Sequence, residues 1–213
     1  MEFLDKRLEE YIELHSSREP KLLSELNRDT WANILMPRML SGHIQGKVLS
    51  LFSNLIKPKA IIEIGTYTGY SALCLAEGLD KEGEIHTIEI NEEHALVAKK
   101  YFDKSVHSKK IIQHIGSGLE IIPKINKKFQ IAFIDADKEN YSKYFDLVID
   151  KIDLGGIIIA DNVLWSGKVI DDEMDNETSE LNIFNKKITK DNRVENILLS
   201  VRDGLMICRK IEN

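Results

Sequence analysis

A chain of 213 residues, 43% of them hydrophobic and 30% charged, suits one domain that buries a core without disulfide or metal staples. The formal net charge is −6, and the Lys127-Lys128 and Lys186-Lys187 pairs form no concentrated basic face, which argues against a nucleic-acid partner. Cys74 and Cys208 lie in apolar runs and read as reduced buried thiols, and no run approaches the ~20 apolar residues of a membrane span.

The opening Met1-Glu2-Phe3-Leu4-Asp5-Lys6-Arg7 is charged and lacks an apolar core, so it does not read as a signal peptide, and a cytoplasmic location without a membrane partner is expected. Leu4, Leu8, Tyr11, Ile12 and Leu14 recur near helix spacing, as do Leu22, Leu23 and Leu26 after Pro20. Pro37 breaks the next stretch. A longer helix carries Val48, Leu49, Leu51, Phe52, Leu55 and Ile56 and stops at Lys57-Pro58.

From residue 60 the texture changes. A β-branched run, Ala60 to Ile64, ends at Gly65, and a helix is predicted over 70–79. A second strand is predicted over 84–90, followed by a helix capped by Asn91 with Ala95, Leu96, Ala98 and Phe102 apolar. Three more strands are predicted over 110–115, 129–135 and 156–160, with helical stretches around 119–122 and 141–149. Alternating strands and helices imply right-handed crossovers and a parallel sheet buried on both faces. An acidic loop runs from Asp161 to about Glu180 and reads as a surface lid, followed by a helix around 181–188. Arg202-Asp203-Gly204 then separates two apolar runs, 196–201 and 205–211, as the turn of a β-hairpin. The expected fold is α/β: a Rossmann-like seven-stranded sheet, mostly parallel with an antiparallel last strand and helices on both faces. Residues 1–57 form an N-terminal helical cover and 58–213 the core of a single domain.

Ligands of open α/β sheets bind beyond the carboxyl ends of the strands, beside strand one. There the sequence places Glu63-x-Gly65-x-x-x-Gly69. Gly65 permits a sharp turn and close backbone approach, and Gly69 a tight entry into the next helix. Glu63 is a charged residue in an apolar strand, where an unpaired carboxylate is costly, so a cationic partner such as the ammonium of a methionine-type ligand is expected. Glu89 closes strand two, where an acid can bind both ribose hydroxyls; dinucleotide enzymes use the same position. Tyr67 stands where a pyrophosphate would approach the helix N-terminus, which favours a nucleoside sulfonium over NAD.

Two further strand ends are acidic. Asp135-Ala136-Asp137-Lys138 and Asp161-Asn162 supply two carboxylates and an amide, a hard-oxygen set suited to Mg²⁺ or Ca²⁺, with neither His nor Cys nearby to favour zinc. Lys138, one helical turn beyond Asp135, is a candidate general base. Taken singly, each cluster also reads as an N-cap or a turn. Their occurrence together favours a metal.

Three segments resemble the metal-dependent O-methyltransferases of the caffeoyl-CoA and catechol type. They are Glu63-Ile-Gly65-Thr-Tyr67-Thr-Gly69-Tyr70-Ser71, Ile134-Asp135-Ala-Asp137-Lys138-Glu-Asn140-Tyr141 and Gly155-Gly-Ile-Ile-Ile-Ala-Asp161-Asn162-Val-Leu-Trp165. The likeness runs from about Met36 to the C-terminus and includes Asp203-Gly204-Leu-Met-Ile-Cys-Arg209. It implies methyl transfer from S-adenosylmethionine to a phenolic or catecholic hydroxyl of a small molecule, assisted by a divalent cation, Mg²⁺ foremost and Ca²⁺ or Mn²⁺ as alternatives. The resemblance makes Asp135, Asp161 and Asn162 metal ligands and Lys138 the base. It gives Glu63, Gly65, Tyr67 and Ser71 the methionyl end of the cofactor, Glu89 the ribose and Ser117 the adenine. Met39 and Ser41 cover the cofactor, and Asp135, Asp137 and Tyr144 join its contacts.

One departure is Ile197, where the animal catechol enzymes carry a glutamate. The acidic loop, which offers no clear basic site for a CoA tail, looks closer to the plant and bacterial branch, whose members are typically dimers through their N-terminal helices. A homodimer is therefore expected. The alternatives are an NAD-dependent oxidoreductase on a similar sheet and a non-catalytic nucleoside-binding dimer.

Overall fold

The computed structural model describes residues 5–212. Met1 to Leu4, which include the first apolar position of the predicted N-terminal helix, lie outside the described residues.

The amphipathic N-terminal stretches fold as α1 (Lys6–Leu14), α2 (Lys21–Asn33) and α3 (Gly42–Ile56). Asp5 caps α1 by accepting from the Arg7 amide, and Lys57 ends α3 in a left-handed conformation immediately before Pro58. The strands and helices of the core then alternate. They are β1 (Ala60–Ile64), α4 (Tyr70–Ala76), β2 (Glu84–Glu89), α5 (Glu92–Phe102), β3 (Ile111–Ile115), α6 (Gly118–Ile121), β4 (Phe129–Ile134) and α7 (Tyr141–Ile149). β5 (Ile152–Asp161), α8 (Asn176–Lys190), β6 (Val194–Leu199) and β7 (Leu205–Lys210) complete the order.

One sheet holds all seven strands in the order β3-β2-β1-β4-β5-β7-β6. β1 pairs in parallel with both β2 and β4, whereas β7 runs antiparallel to β5 and β6, as expected of the terminal hairpin. The chain reverses its lateral direction between β1 and β4, so their carboxyl ends open a crevice there. Ile61, Ile131, Phe133 and Ile159 pack on one face with buried residues of α2 to α5. Ile62, Ala132, Ile134 and Ile158 pack on the other with α7 and α8, including Phe145 and Phe184. Both faces are buried, which is why the central strands read as continuous apolar runs. Among the described residues no helix is long and apolar enough to cross a membrane.

Three elements differ from their predicted bounds. α4 stops at Ala76 rather than near Leu79, because Gly78 lies against the α3 backbone, where an added Cβ would fall 2.1 Å from the Ser53 carbonyl carbon. β5 begins four residues early, running through Gly155 at φ 83° across a register shift opposite Phe129 and Ile131. The glycines mark a bulge inside the strand rather than its start. The acidic loop ends before Glu180, since Asp175 accepts hydrogen bonds from the Thr178 amide (2.8 Å) and hydroxyl (2.5 Å) and starts α8 at Asn176.

Candidate functional site

At the end of β1 the backbone bends at Gly65 (φ 97°), whose amide donates to the Ile88 carbonyl at 3.0 Å. A Cβ at this position would stand 1.8 Å from the Asp135 carbonyl oxygen. Gly65 is thus required by the crossing of two strand ends, a tighter reason than the ligand approach its sequence position suggests. Gly69 (φ 91°) seats the first turn of α4 against Phe102 and Ala98.

Glu89 holds this loop from β2. Its Oε2 accepts the Tyr67 amide at 2.6 Å and its Oε1 the Asn91 amide at 2.9 Å. The carboxylate is buried at the strand end, and each oxygen retains a lone pair for a further donor such as a ribose hydroxyl. Tyr67 itself adopts φ 49°, and its hydroxyl donates to the carbonyls of Leu35 (3.1 Å) and Met36 (3.3 Å). Its side chain therefore ties down the N-terminal strap ahead of α3.

Glu63 is the anomaly of this half. It is fully buried, its Oε2 accepts from the Thr87 hydroxyl, and its Oε1 has no hydrogen-bond partner. Burial pushes the carboxyl up to about 8, an effect that the Ser71 and Thr87 hydroxyls offset only in part. A small open cleft of about 200 Å³ adjoins, lined by Met39, Leu40, Ser41, Gly65, Thr66, Tyr67, Tyr70, Ser71 and Asp135. Five of the residues predicted to hold the cofactor's methionyl end and cover it, together with Asp135, meet there. Met39 is exposed at its rim and Ser41 is buried.

The second half lies at the ends of β4 and β5. Lys138, buried in the 3-10 turn before α7, donates from Nζ to the Tyr141 hydroxyl (2.6 Å), Asn162 Oδ1 (3.0 Å) and Asp135 Oδ1 (3.2 Å). Its ammonium stands between two of the three predicted metal-ligand oxygens, with the rings of Tyr141 and Trp165 beside it. The Tyr141 hydroxyl donates in turn to the Asp161 carbonyl at 3.0 Å, and burial raises its phenol well above the ordinary range. Asp161 is buried. Its Oδ2 accepts from Gln45 Nε2 (2.5 Å) and its Oδ1 from the Asn162 amide (2.7 Å). Burial and the neighbouring Asp135 carboxylate push it up to about 7. Asn162 adopts φ 58°. Among the described residues no three His, Cys, Asp or Glu side chains converge as a metal cluster. The candidate set is two carboxylates and an amide, with a cationic side chain already seated among them, and its chemistry fits a hard divalent cation.

The remaining predicted residues lie along the β3–α6 and β4–α7 loops. Ser117 occupies the N-cap position of α6, and Gly118 packs so closely that a Cβ would sit 3.0 Å from Tyr144 and Ile64. Tyr144 donates to Asp137 Oδ1 at 2.6 Å, and Asp137 also accepts from Asn140. Asp137 is exposed at the crevice mouth.

Two functional neighbours escaped the sequence reading. Gln45 lies in step with Leu49 and Phe52 on the inward stripe of α3, so a polar residue in that stripe was the available signal. Arg202 precedes the Asp-Gly turn, and nothing local indicates that its guanidinium reaches the strap.

A sequence model of a family described as O-methyltransferase matches residues 13–211. A caffeoyl-CoA O-methyltransferase of Mesembryanthemum crystallinum is 36% identical over 207 residues, covering 91% of this chain and 81% of that protein. The crystal structure of an O-methyltransferase from Bacillus cereus in complex with S-adenosylhomocysteine superposes with a TM-score of 0.89 at 28% identity, covering 96% of this chain and 97% of that one. An O-methyltransferase of Streptomyces achromogenes involved in tomaymycin synthesis, in complex with S-adenosylmethionine, gives a TM-score of 0.88 at 26% identity and covers 96% of each chain.

Proposed function

The chain belongs to the O-methyltransferase family, and on that premise we propose that it transfers a methyl group from S-adenosylmethionine to one hydroxyl of a phenolic or catechol-type small molecule, with a divalent cation held by Asp135, Asp161 and Asn162. The observation that carries this reading is the buried, unpartnered Oε1 of Glu63 at the switch point of the sheet. A buried carboxylate oxygen without a donor is costly unless a cation meets it, and the ammonium of a methionyl group supplies one. Membership in the family displaces the oxidoreductase alternative.

When bound, S-adenosylmethionine would supply an electrophilic sulfonium methyl, and a divalent cation held by Asp135, Asp161 and Asn162 would supply positive charge that eases loss of the acceptor's hydroxyl proton. The chain supplies position. Glu63 anchors the methionyl end, Glu89 offers its carboxylate to the ribose, and Ser117 and Tyr144 border the adenine side. Gln45 orients Asp161, so the carboxylate does not have to reorganise when an acceptor enters. Lys138 Nζ is the group placed to take the acceptor's hydroxyl proton. As long as it donates to Asp135, Asn162 and Tyr141 it uses all three ammonium hydrogens. It serves as a base only after releasing those oxygens. Exposed Leu8, Tyr11, Leu14 and Trp31 on the N-terminal helices support a homodimer, which sedimentation would test.

The activity is tested by following labelled methyl from S-adenosylmethionine into a panel of catechols, hydroxycinnamates, flavonoids and their CoA esters, with Mg²⁺ or with EDTA. Transfer to a vicinal diol that EDTA removes and Mg²⁺ restores is expected. Full turnover in EDTA would remove the metal from the account, and no transfer to any hydroxyl would remove the acceptor class.

A further inference from the structure

The strap of residues 34–41, between α2 and α3, crosses the mouth of the crevice and is tied at two points. One tie is Tyr67. The other comes from the far end of the chain, where Arg202 in the β6–β7 turn reaches across the site. Its Nη1 donates to the carbonyls of Leu40 (3.0 Å) and Ser41 and to Gln45 Oε1 (3.3 Å), and its Nη2 to the Arg38 carbonyl (3.4 Å). Gln45 is fully buried and turns its other amide atom, Nε2, onto Asp161 Oδ2. One guanidinium therefore fixes the strap that lines the cofactor cleft and, through Gln45, the carboxylate at the end of β5. Arg202 does so from a left-handed backbone (φ 48°) that a β-carbon disfavours, at a turn position where glycine would sit without strain.

We propose that Arg202 is a positioning residue: it latches the hairpin turn to the N-terminal strap and orients Gln45, holding the strap closed over the cofactor cleft and Asp161 in its bonded rotamer. The latch rests on the cofactor assignment made above only for its effect on binding; its effect on strap mobility stands alone. Arg202 bonds the strap directly but reaches Asp161 only through Gln45, so its loss should act on retention of the cofactor first and on the chemical step second.

Arg202→Gly separates latch from fold, because glycine relaxes the backbone while deleting the guanidinium. The expected result has four parts: a melting temperature no lower than wild type, amide exchange across residues 38–41 faster by about tenfold with β1 unaffected, S-adenosylhomocysteine affinity by calorimetry weaker by about tenfold, and KM for S-adenosylmethionine raised while kcat stays within about threefold. Arg202→Lys, which keeps a donor for the Ser41 carbonyl, should recover part of the protection. Unchanged exchange across 38–41 in Arg202→Gly overturns the latch, as does unchanged S-adenosylhomocysteine affinity beside a normally binding wild type. If the wild type itself fails to bind S-adenosylhomocysteine, the cofactor assignment falls and the exchange measurement alone decides on Arg202.

Discussion

The two halves of the crevice solve opposite electrostatic problems. At the ends of β1 and β2 the backbone is held by amide-to-carboxylate bonds through Glu89, yet Glu63 keeps a buried Oε1 without a hydrogen bond, the Ser71 and Thr87 hydroxyls only partly offsetting its burial. At the ends of β4 and β5 the acids have partners within the chain. Lys138 neutralises Asp135, and Gln45 and the Asn162 amide satisfy Asp161. The first half keeps an acid that burial favours in its neutral form and that an outside cation would favour in its ionised form. The second is complete with an inside one, which any divalent ion must displace. The difference teaches that, on the proposed function, a methionyl ammonium would find a carboxyl waiting for it, whereas a divalent ion would have to compete with Lys138 for the same oxygens.

The contrast breaks most completely at Gly65, where the halves touch. Gly65→Ala would drive a Cβ into the Asp135 carbonyl, and a loss of about 4 kcal/mol or more of stability is expected, read by denaturant unfolding. Next in size is Lys138→Met. It should lower kcat by about 10² to 10⁴-fold while S-adenosylhomocysteine still binds, because the cofactor half does not use the lysine. Retention of wild-type kcat would show that the proton leaves by another route. Glu63→Gln should do the reverse, weakening S-adenosylhomocysteine by about ten- to a hundredfold in calorimetry with little change in Mg²⁺ affinity.

The smallest effect is one of pH. Folding raises the Glu63 carboxyl from its ordinary 4.5 to about 8. Between these values the folded state binds more protons than the unfolded one, so this group makes stability fall as pH rises through that window. The melting temperature of ligand-free wild type should therefore decline from pH 6 to pH 9 relative to Glu63→Gln, by parallel thermal scans. Coincident curves would mean that Glu63 ionises freely.

Much of this was legible in the residues themselves. Glu63 inside Ala60-Ile61-Ile62-Glu63-Ile64 announced an acid in an apolar strand, and the structure buries it with Oε1 lacking a hydrogen-bond partner. The alternation of strands and helices and the Asp203-Gly204 turn specified a parallel sheet with an antiparallel end. The acids of β4 and β5 could be grouped because strand ends share one edge of such a sheet. What could not be read depends on contacts between distant segments. The reason for Gly65 is the Asp135 carbonyl, 70 residues on. Asp175 looked like one more acid of a lid until its bond to Thr178 made it a helix cap. Arg202 bonds carbonyls more than 160 positions away in sequence, and no local pattern encodes such a contact.

Calorimetric titration of S-adenosylhomocysteine near pH 7, in buffers of different ionisation enthalpy, tests most directly the claim that Glu63 receives the cofactor's cation. Because burial favours the protonated carboxyl there, burying an ammonium against it should release more protons from wild type than from Glu63→Gln. Equal proton release from the two proteins, or none from wild type, would contradict the assignment of Glu63 as the anchor.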